Sequence, residues 1–227
     1  MQLNDNTMNV LKNFATINPN IVVNSGNTVK TITEAKNVLG QAKLDQDFPK
    51  TVGIYDLNEF LTACNLVDSP TLEFDEGNDY CVIRDTSGRS KVKYFFSDID
   101  ILTTPAKDIT MPPGEVTFKL DNDTLNRLRK ASAAFGHNEL SISGTENGVL
   151  SLSIIDSKNS TSNAFSIDVS GEYDKSGFNY VLNIANLKIV PGDYDVSISS
   201  KLISHFKNCD SNIEYWIALE KSSTTGV

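Results

Sequence analysis

The chain reads as an α+β protein of two topologically similar domains, each built from antiparallel sheets with a few helices on one face. Three observations predict this. Apolar residues recur at three- and four-residue steps only in short segments, while most of the remaining sequence alternates apolar with polar. An aperiodic stretch with three prolines interrupts the middle of the 227 residues. After it the order of strands and helices starts again, a repeat of topology and not of sequence.

The first helix runs to Asn18-Pro19, which stops it; Asn6 or Thr7 can cap its start, and Val10, Leu11, Phe14 and Ile17 form its apolar stripe. Lys12, Asn13 and Thr16 fall on the polar side. Strands follow at residues 21–23, 29–33, 37–43 and 51–55, divided by Ser25-Gly26-Asn27 and Phe48-Pro49. Asp56 then caps a second helix that gathers Leu57, Phe60, Leu61 and Cys64 on one side and Asn58, Glu59 and Thr62 on the other. Strands at 71–75, 80–85 and 91–96, joined by turns at Gly77 and Gly88, complete a first domain over residues 1–97.

Residues 98–114 lack periodicity and carry Pro105, Pro112 and Pro113, so they read as an extended connector. The second domain, residues 115–227, begins with a strand at 116–120 and a helix at 123–135. Strands at 139–143, 149–155, 164–169 and 178–183 come next, then a short helix over 184–189, the Pro191-Gly192 turn and a closing meander through Tyr194 and Trp216. Along the last strand Tyr215, Ile217 and Leu219 alternate with Trp216 and Ala218, which predicts that one of the two sets leaves the core.

Composition narrows the function classes. The net charge of −9 opposes a protein that holds nucleic acid over its whole surface, but not one that presents a single basic face. No apolar run is long enough for a membrane span, and no leader pattern opens the chain, so a cytoplasmic protein is expected. Cys64, Cys81 and Cys209 are odd in number and match no zinc spacing, which makes them packing residues with free thiols. Only two histidines occur, His137 and His205, and no phosphate loop, HExxH or CxxC motif accompanies them. Asp98 with Asp100, and Asp121 with Asp123, have the spacing of weak metal sites, yet the first pair lies in the connector and the second precedes a helix, where carboxylates cap and complement the dipole. The expectation is therefore no enzyme, no cofactor and no metal.

The third helix carries the clearest functional surface. At 100° per residue Leu125, Leu128, Ser132 and Phe135 share one side, Arg127 and Lys130 project from the other, and Arg129 lies between.

Three segments show a family resemblance. LKNFATIN at residues 11–18, IYDLNEFL at 54–61, and YVLNIANLKIVPGDY at 180–194 with YWIALE at 215–220 resemble the two opening helices and the closing unit of DNA sliding clamps of T-even-type bacteriophages. The resemblance implies a DNA-clamp fold, with sheets outside and helices lining the inner face of a ring. It implies a processivity factor that encircles double-stranded DNA without reading its sequence and tethers the replicative polymerase in the cytoplasm of an infected bacterial host. An ATP-dependent clamp loader and a σ-like factor for late transcription are the further partners it implies. Six such domains surround a pore in clamps, so a two-domain chain implies a homotrimer.

On that footing Lys12, Arg127, Lys130 and Lys188 are expected to face the pore. Ile101 and Leu102 of the connector, with neighbouring Ile99, and Trp216 are expected to form a pocket for a partner's tail peptide. The subunit interface is expected to join the strand bearing Lys91, Lys93 and Phe95 to the neighbour's strand bearing Phe165, Ile167 and Val169. The competing class is a β-rich structural or adhesive virion protein, which would not need basic residues gathered on helices.

Overall fold

The computed structural model describes residues 1–144, 149–175 and 177–226. The chain divides into two compact units, Met1–Asp108 and Ile109–Val227, so the division falls inside the expected connector.

The first unit opens with α1 (Asp5–Ile17), followed by β1 (Ile21–Val23), β2 (Gly26–Ile32), β3 (Val38–Phe48) and β4 (Val52–Ile54). These strands form an antiparallel sheet in the order β3-β2-β1-β4. The cap of α1 is Asn4, not Asn6 or Thr7: its Oδ1 accepts from the Thr7 amide at 2.8 Å. An Asx side chain reaches the N–H three residues on, which puts Asn6 and Thr7 inside the first turn. Val10, Leu11, Phe14 and Ile17 are all buried, each contributing about 1.5–3 kcal/mol if fully removed from water. The helix lies close to β3, where a Cβ on Gly40 would meet Phe14 Cε1 at 3.0 Å. At its end Asn18 is buried and ties three segments together, accepting from Asn20 N and donating to Ile32 O.

Asp56 caps α2 (Leu57–Asn65) as the sequence predicts, accepting from the amides of Asn58 at 2.9 Å and Glu59 at 3.1 Å. The meander is β5 (Thr71–Phe74), β6 (Tyr80–Arg84) and β7 (Lys91–Phe95), a separate antiparallel sheet in that order. Its inner face meets α2 through Tyr94, whose ring stands edge-on to Phe60 at 5.1 Å and whose hydroxyl donates to Asp56 O. Residues 1 and 2 run along the outer side of β5: Leu72 N donates to Met1 O at 2.7 Å, and Gln2 bridges Thr71.

The expected extended connector is partly folded. Asp98 caps a single helical turn, Ile99–Ile101. The segment follows the first unit through Ser97 N to Gly53 O at 2.8 Å, Thr103 N to Asn20 Oδ1 at 2.9 Å, and an ion pair of Lys30 with Asp108. Gly53 is required there, because a Cβ would come within 2.5 Å of the Ser97 carbonyl oxygen.

The second unit comprises β8 (Val116–Leu120), α3 (Asn122–Phe135), β9 (Glu139–Gly144), β10 (Val149–Ile155), β11 (Phe165–Tyr173), β12 (Asn179–Asn183), β13 (Tyr194–Ser199), β14 (Ile203–Asn208) and β15 (Ile213–Ala218). Its antiparallel sheet has the order β12-β9-β10-β11-β8-β13-β14-β15. β11 outruns the predicted 164–169: residues 165–170 pair with β10, and 171–173 continue against β8. The predicted short helix contracts to one turn, Ile184–Asn186, capped by Asn183. It ends because Leu187 adopts φ −74° and ψ 56°, an inverse γ-turn that closes with Lys188 N on Asn186 O. Residues 220–224 fold back on β12, with Thr224 exchanging both backbone bonds with Asn179 at 2.8 and 3.0 Å and Glu220 N donating to Val181 O.

Burial explains the cysteines differently from composition. Cys64 and Cys81 are buried, but Cys209 is exposed. Burial, reinforced for Cys64 by its neighbour Cys81, pushes the Cys64 thiol up to about 12; burial likewise pushes Cys81 up to about 11. The reactive form is the thiolate, so at pH 8 only one of the three thiols should react with an aromatic disulfide reagent in the native protein. Denaturation should release all three, and Cys209→Ser should leave the native protein unreactive; two fast thiols in that variant would contradict the burial.

Candidate nucleic-acid interface

The cations on the helices are positioned from the buried side outward. In α3, Asp121 caps the start by accepting from Thr124 N at 2.6 Å, and Leu125 and Leu128 are fully buried. That anchors the helix by one face and turns Arg127 and Lys130 to the exposed side. Lys12 is likewise exposed on α1, opposite Leu11 and Phe14. Phe135, grouped by periodicity with the buried stripe, is 38% exposed and packs on the His137 ring at 5.9 Å.

Arg129 has a role that helical angle alone does not reveal. Its guanidinium donates to Leu187 O at 2.6 Å and to Ile189 O at 3.5 Å, and burial holds its pKa below the ordinary arginine value. Those carbonyls flank Lys188, so Arg129 fastens the γ-turn segment to α3 while the buried Leu187 and Ile189 leave Lys188 exposed. Sequence could signal only that an arginine beside Leu128 cannot lie fully in solvent. Arg127 meets β11, with its guanidinium 5.7 Å from the centre of the Phe165 ring. A residue expected at the DNA face and one expected at the subunit edge are thereby in contact.

The exposed side of α2 offers Asn58, Glu59 and Thr62 and no cation. The faces of α1 and α3 each offer exposed positive charge, which attracts a phosphate backbone and does not read base edges. Neither histidine stands in a catalytic array: His137 Nε2 contacts Asn163 O, and His205 Nε2 lies 2.8 Å from Glu214 Oε2. Among the described residues no group of three or more His, Cys, Asp or Glu side chains could hold a metal ion. Asp98 and Asp121 act as caps.

A sliding clamp of Vibrio phage KVP40 is 34% identical over 97% of this chain and 99% of its own length. The chain belongs to the sliding clamp family. Sliding clamps of Escherichia phage RB69 and Enterobacteria phage T4 match this clamp at 27% and 28% identity, each over 99% of both chains. The family model described as DNA polymerase processivity factor matches residues 4–94, and that described as gp45 sliding clamp, C terminal, matches residues 117–221. The fold is also that of proliferating cellular nuclear antigen, from Thermococcus kodakaraensis (TM-score 0.70, 15% identity, 95% of this chain and 96% of that one) and Entamoeba histolytica (0.68, 13%, 94% of each). The clamp is thus a DNA polymerase processivity factor with a DNA-clamp fold, and the virion-protein alternative has no support among these relatives.

The remaining predicted positions lie as follows in the clamp. Ile101 and Ile99 are 67% and 45% exposed, whereas Leu102 is buried beside Gly53. A cavity of about 360 Å³, lined in part by Val52, Gly53, Phe96, Ser97 and Ile99, opens next to them. Trp216 is buried, and so are Tyr215, Ile217 and Leu219 on the alternate side, so neither set of β15 leaves the core. Its indole stacks on His205 at 4.8 Å, and Nε1 has no partner among the described residues. Lys91, Lys93 and Phe95 share the exposed face of β7, and Phe165, Ile167 and Val169 are half-buried on β11. No described helix is long and apolar enough to cross a membrane.

Proposed function

We propose that three copies of this chain close into a ring that encircles duplex DNA and keeps the replicative polymerase attached to its template. The observation that carries this reading is the placement of Lys12, Arg127, Lys130 and Lys188 on exposed helical faces or beside them, in a chain of net charge −9. A closed ring works through effective concentration: a polymerase that releases the primer end stays linked and rebinds before it diffuses away. Sparse, weak phosphate contacts suit it, because tight ones would arrest sliding.

The polymerase's tail peptide is assigned to the connector, with the exposed Ile101 and Ile99 beside the cavity of about 360 Å³. A loader that opens the ring with ATP, and a σ-like factor for late transcription, are the other partners in the infected host's cytoplasm; support for both is family membership alone.

The count of three follows from two units per chain and six units per ring. Light scattering over a dilution series tests it: the expected result is a trimer mass that persists into the micromolar range. A monomer or a stable dimer at tens of micromolar overturns the ring.

A further inference from the structure

We infer that a cavity inside the second unit binds a cationic nitrogen carried on an apolar stem, an alkylammonium or guanidinium group, at Glu115 and Tyr180. The cavity measures about 270 Å³ and is lined by Glu115, Val116, Phe178, Tyr180 and Ser200, with the exposed Asp174 and Lys175 at its rim. It lies wholly within Ile109–Val227 and involves none of the connector residues named above, so it stands or falls apart from the ring.

Three chain segments build the site. At the start of β8, Glu115 N donates to Ile198 O of β13 at 2.9 Å. Directly after β13, Ser200 turns back and gives both of its donors to the Glu115 carboxylate, N to Oε2 at 2.7 Å and Oγ to Oε1 at 2.6 Å. Burial opposes the charge, but those bonds outweigh it and hold the Glu115 carboxyl below its ordinary range. The carboxylate is therefore ionised at neutral pH and fixed in place, and it keeps acceptor capacity beyond the two Ser200 bonds. The wall comes from the start of β12, where the Phe178 and Tyr180 rings stack at 5.2 Å and are 4% and 2% exposed.

The Tyr180 hydroxyl is the decisive group. It forms no hydrogen bond among the described residues. Nor is it one of the unbonded side-chain groups sealed inside, which belong to Thr7, Thr31 and Trp216. On a side chain so nearly buried, an unbonded oxygen that is not sealed in opens on the cavity that its residue lines. Burial raises the Tyr180 pKa and the Glu115 charge raises it further, so the hydroxyl stays protonated and offers a donor and an acceptor to whatever enters.

These groups select the ligand. An anion meets Glu115 and Asp174, whose charge Lys175 offsets only in part. An apolar occupant strips water from a carboxylate and a hydroxyl without replacing it. A metal ion finds too few donors, since no group of three or more His, Cys, Asp or Glu side chains gathers among the described residues. A cationic nitrogen satisfies every condition: it donates to Glu115 and to Tyr180 Oη, it lies beside aromatic rings that attract positive charge, and its stem rests on Phe178 and Val116.

Saturation-transfer NMR on the intact protein tests the site with N-acetylarginine amide and N-acetyllysine amide as probes. Both should bind saturably, and their neutral counterparts, N-acetylcitrulline amide and N-acetylnorleucine amide, at least about tenfold more weakly. Glu115→Gln should weaken the probes by at least about tenfold and Tyr180→Phe by about fivefold. Tyr180→Phe deletes only a hydroxyl that the fold does not use, so its thermal unfolding should match wild type and its result stands even where Glu115→Gln loosens Ser200. Agmatine distinguishes the two sources of such a group. Binding as tight as that of the capped arginine indicates a free amine; weaker binding indicates the side chain of a bound polypeptide, whose main chain reaches Thr225 and Gly226 at the rim. Neutral counterparts that bind equally well, probes indifferent to both substitutions, or no saturable binding would overturn the cation site. Probe binding that appears only in Lys175→Ala would overturn it too, because the cavity would then be filled by the chain's own ammonium.

Discussion

Replacing Lys12, Arg127, Lys130 and Lys188 together with glutamate should lower processive synthesis on primed DNA by at least about tenfold at moderate salt, while the trimer mass stays unchanged. Each replacement exchanges an attraction for a repulsion where phosphates would pass. The fold should survive because all four residues are exposed; the Arg127 contact with Phe165 that is lost is worth about 0.5–1 kcal/mol at a surface. Raising the salt concentration should narrow the gap between variant and wild type. Synthesis as processive as wild type would mean that these faces do not meet DNA, and a variant that no longer assembles would mean that they serve the ring contact instead.

Trp216→Ala should destabilise the second unit by about 3–5 kcal/mol, the usual cost of truncating a large buried aromatic residue. Trp216 is buried with Tyr215 and Ile217 on the alternate side, and its indole is stacked on His205, so truncation leaves a vacated volume beside packed groups. Ile101→Ala should leave thermal unfolding unchanged, because that side chain is 67% exposed, and should weaken binding of the polymerase tail if the connector is the contact. Thermal unfolding and peptide affinity measured on both variants separate the two roles of Trp216. A Trp216→Ala protein that melts like wild type yet loses the peptide would place the indole at the surface.

Much of this structure was legible in the chain, for identifiable reasons. Asp56 and Asp121 announce their helices because a carboxylate before a helical stripe has one favourable use, capping the open amides. Lys12, Arg127 and Lys130 are legible because helical periodicity sets them opposite Leu11, Leu125 and Leu128. What failed to show was decided by distant partners. Arg129 became a fastener through carbonyls some sixty residues away, which no local pattern encodes. Alternation along the last strand predicts that one set leaves the core, because it normally marks a two-faced strand; Trp216 is buried along with Tyr215 and Ile217, and a strand covered on both sides breaks that inference. Asn4 was missed because Asn6 and Thr7 are equally good caps by type, and only the hydrogen-bond ladder distinguishes them. Cys209 was grouped with its buried counterparts because composition carries no position.

The segments at residues 1–2 and 220–224 lie along β5 and β12 and occupy backbone groups that an unfamiliar strand could otherwise adopt. A protein that assembles by adding strand to strand lives close to a hazard, since a head-to-tail contact that misses closure propagates as a fibre. With residues 1–2 and 220–224 on these two borders, the sheets are limited in how far they can spread. Any strand added at β7 or β11 would leave covered rims on β5 and β12, which favours an assembly of finite size over one without end.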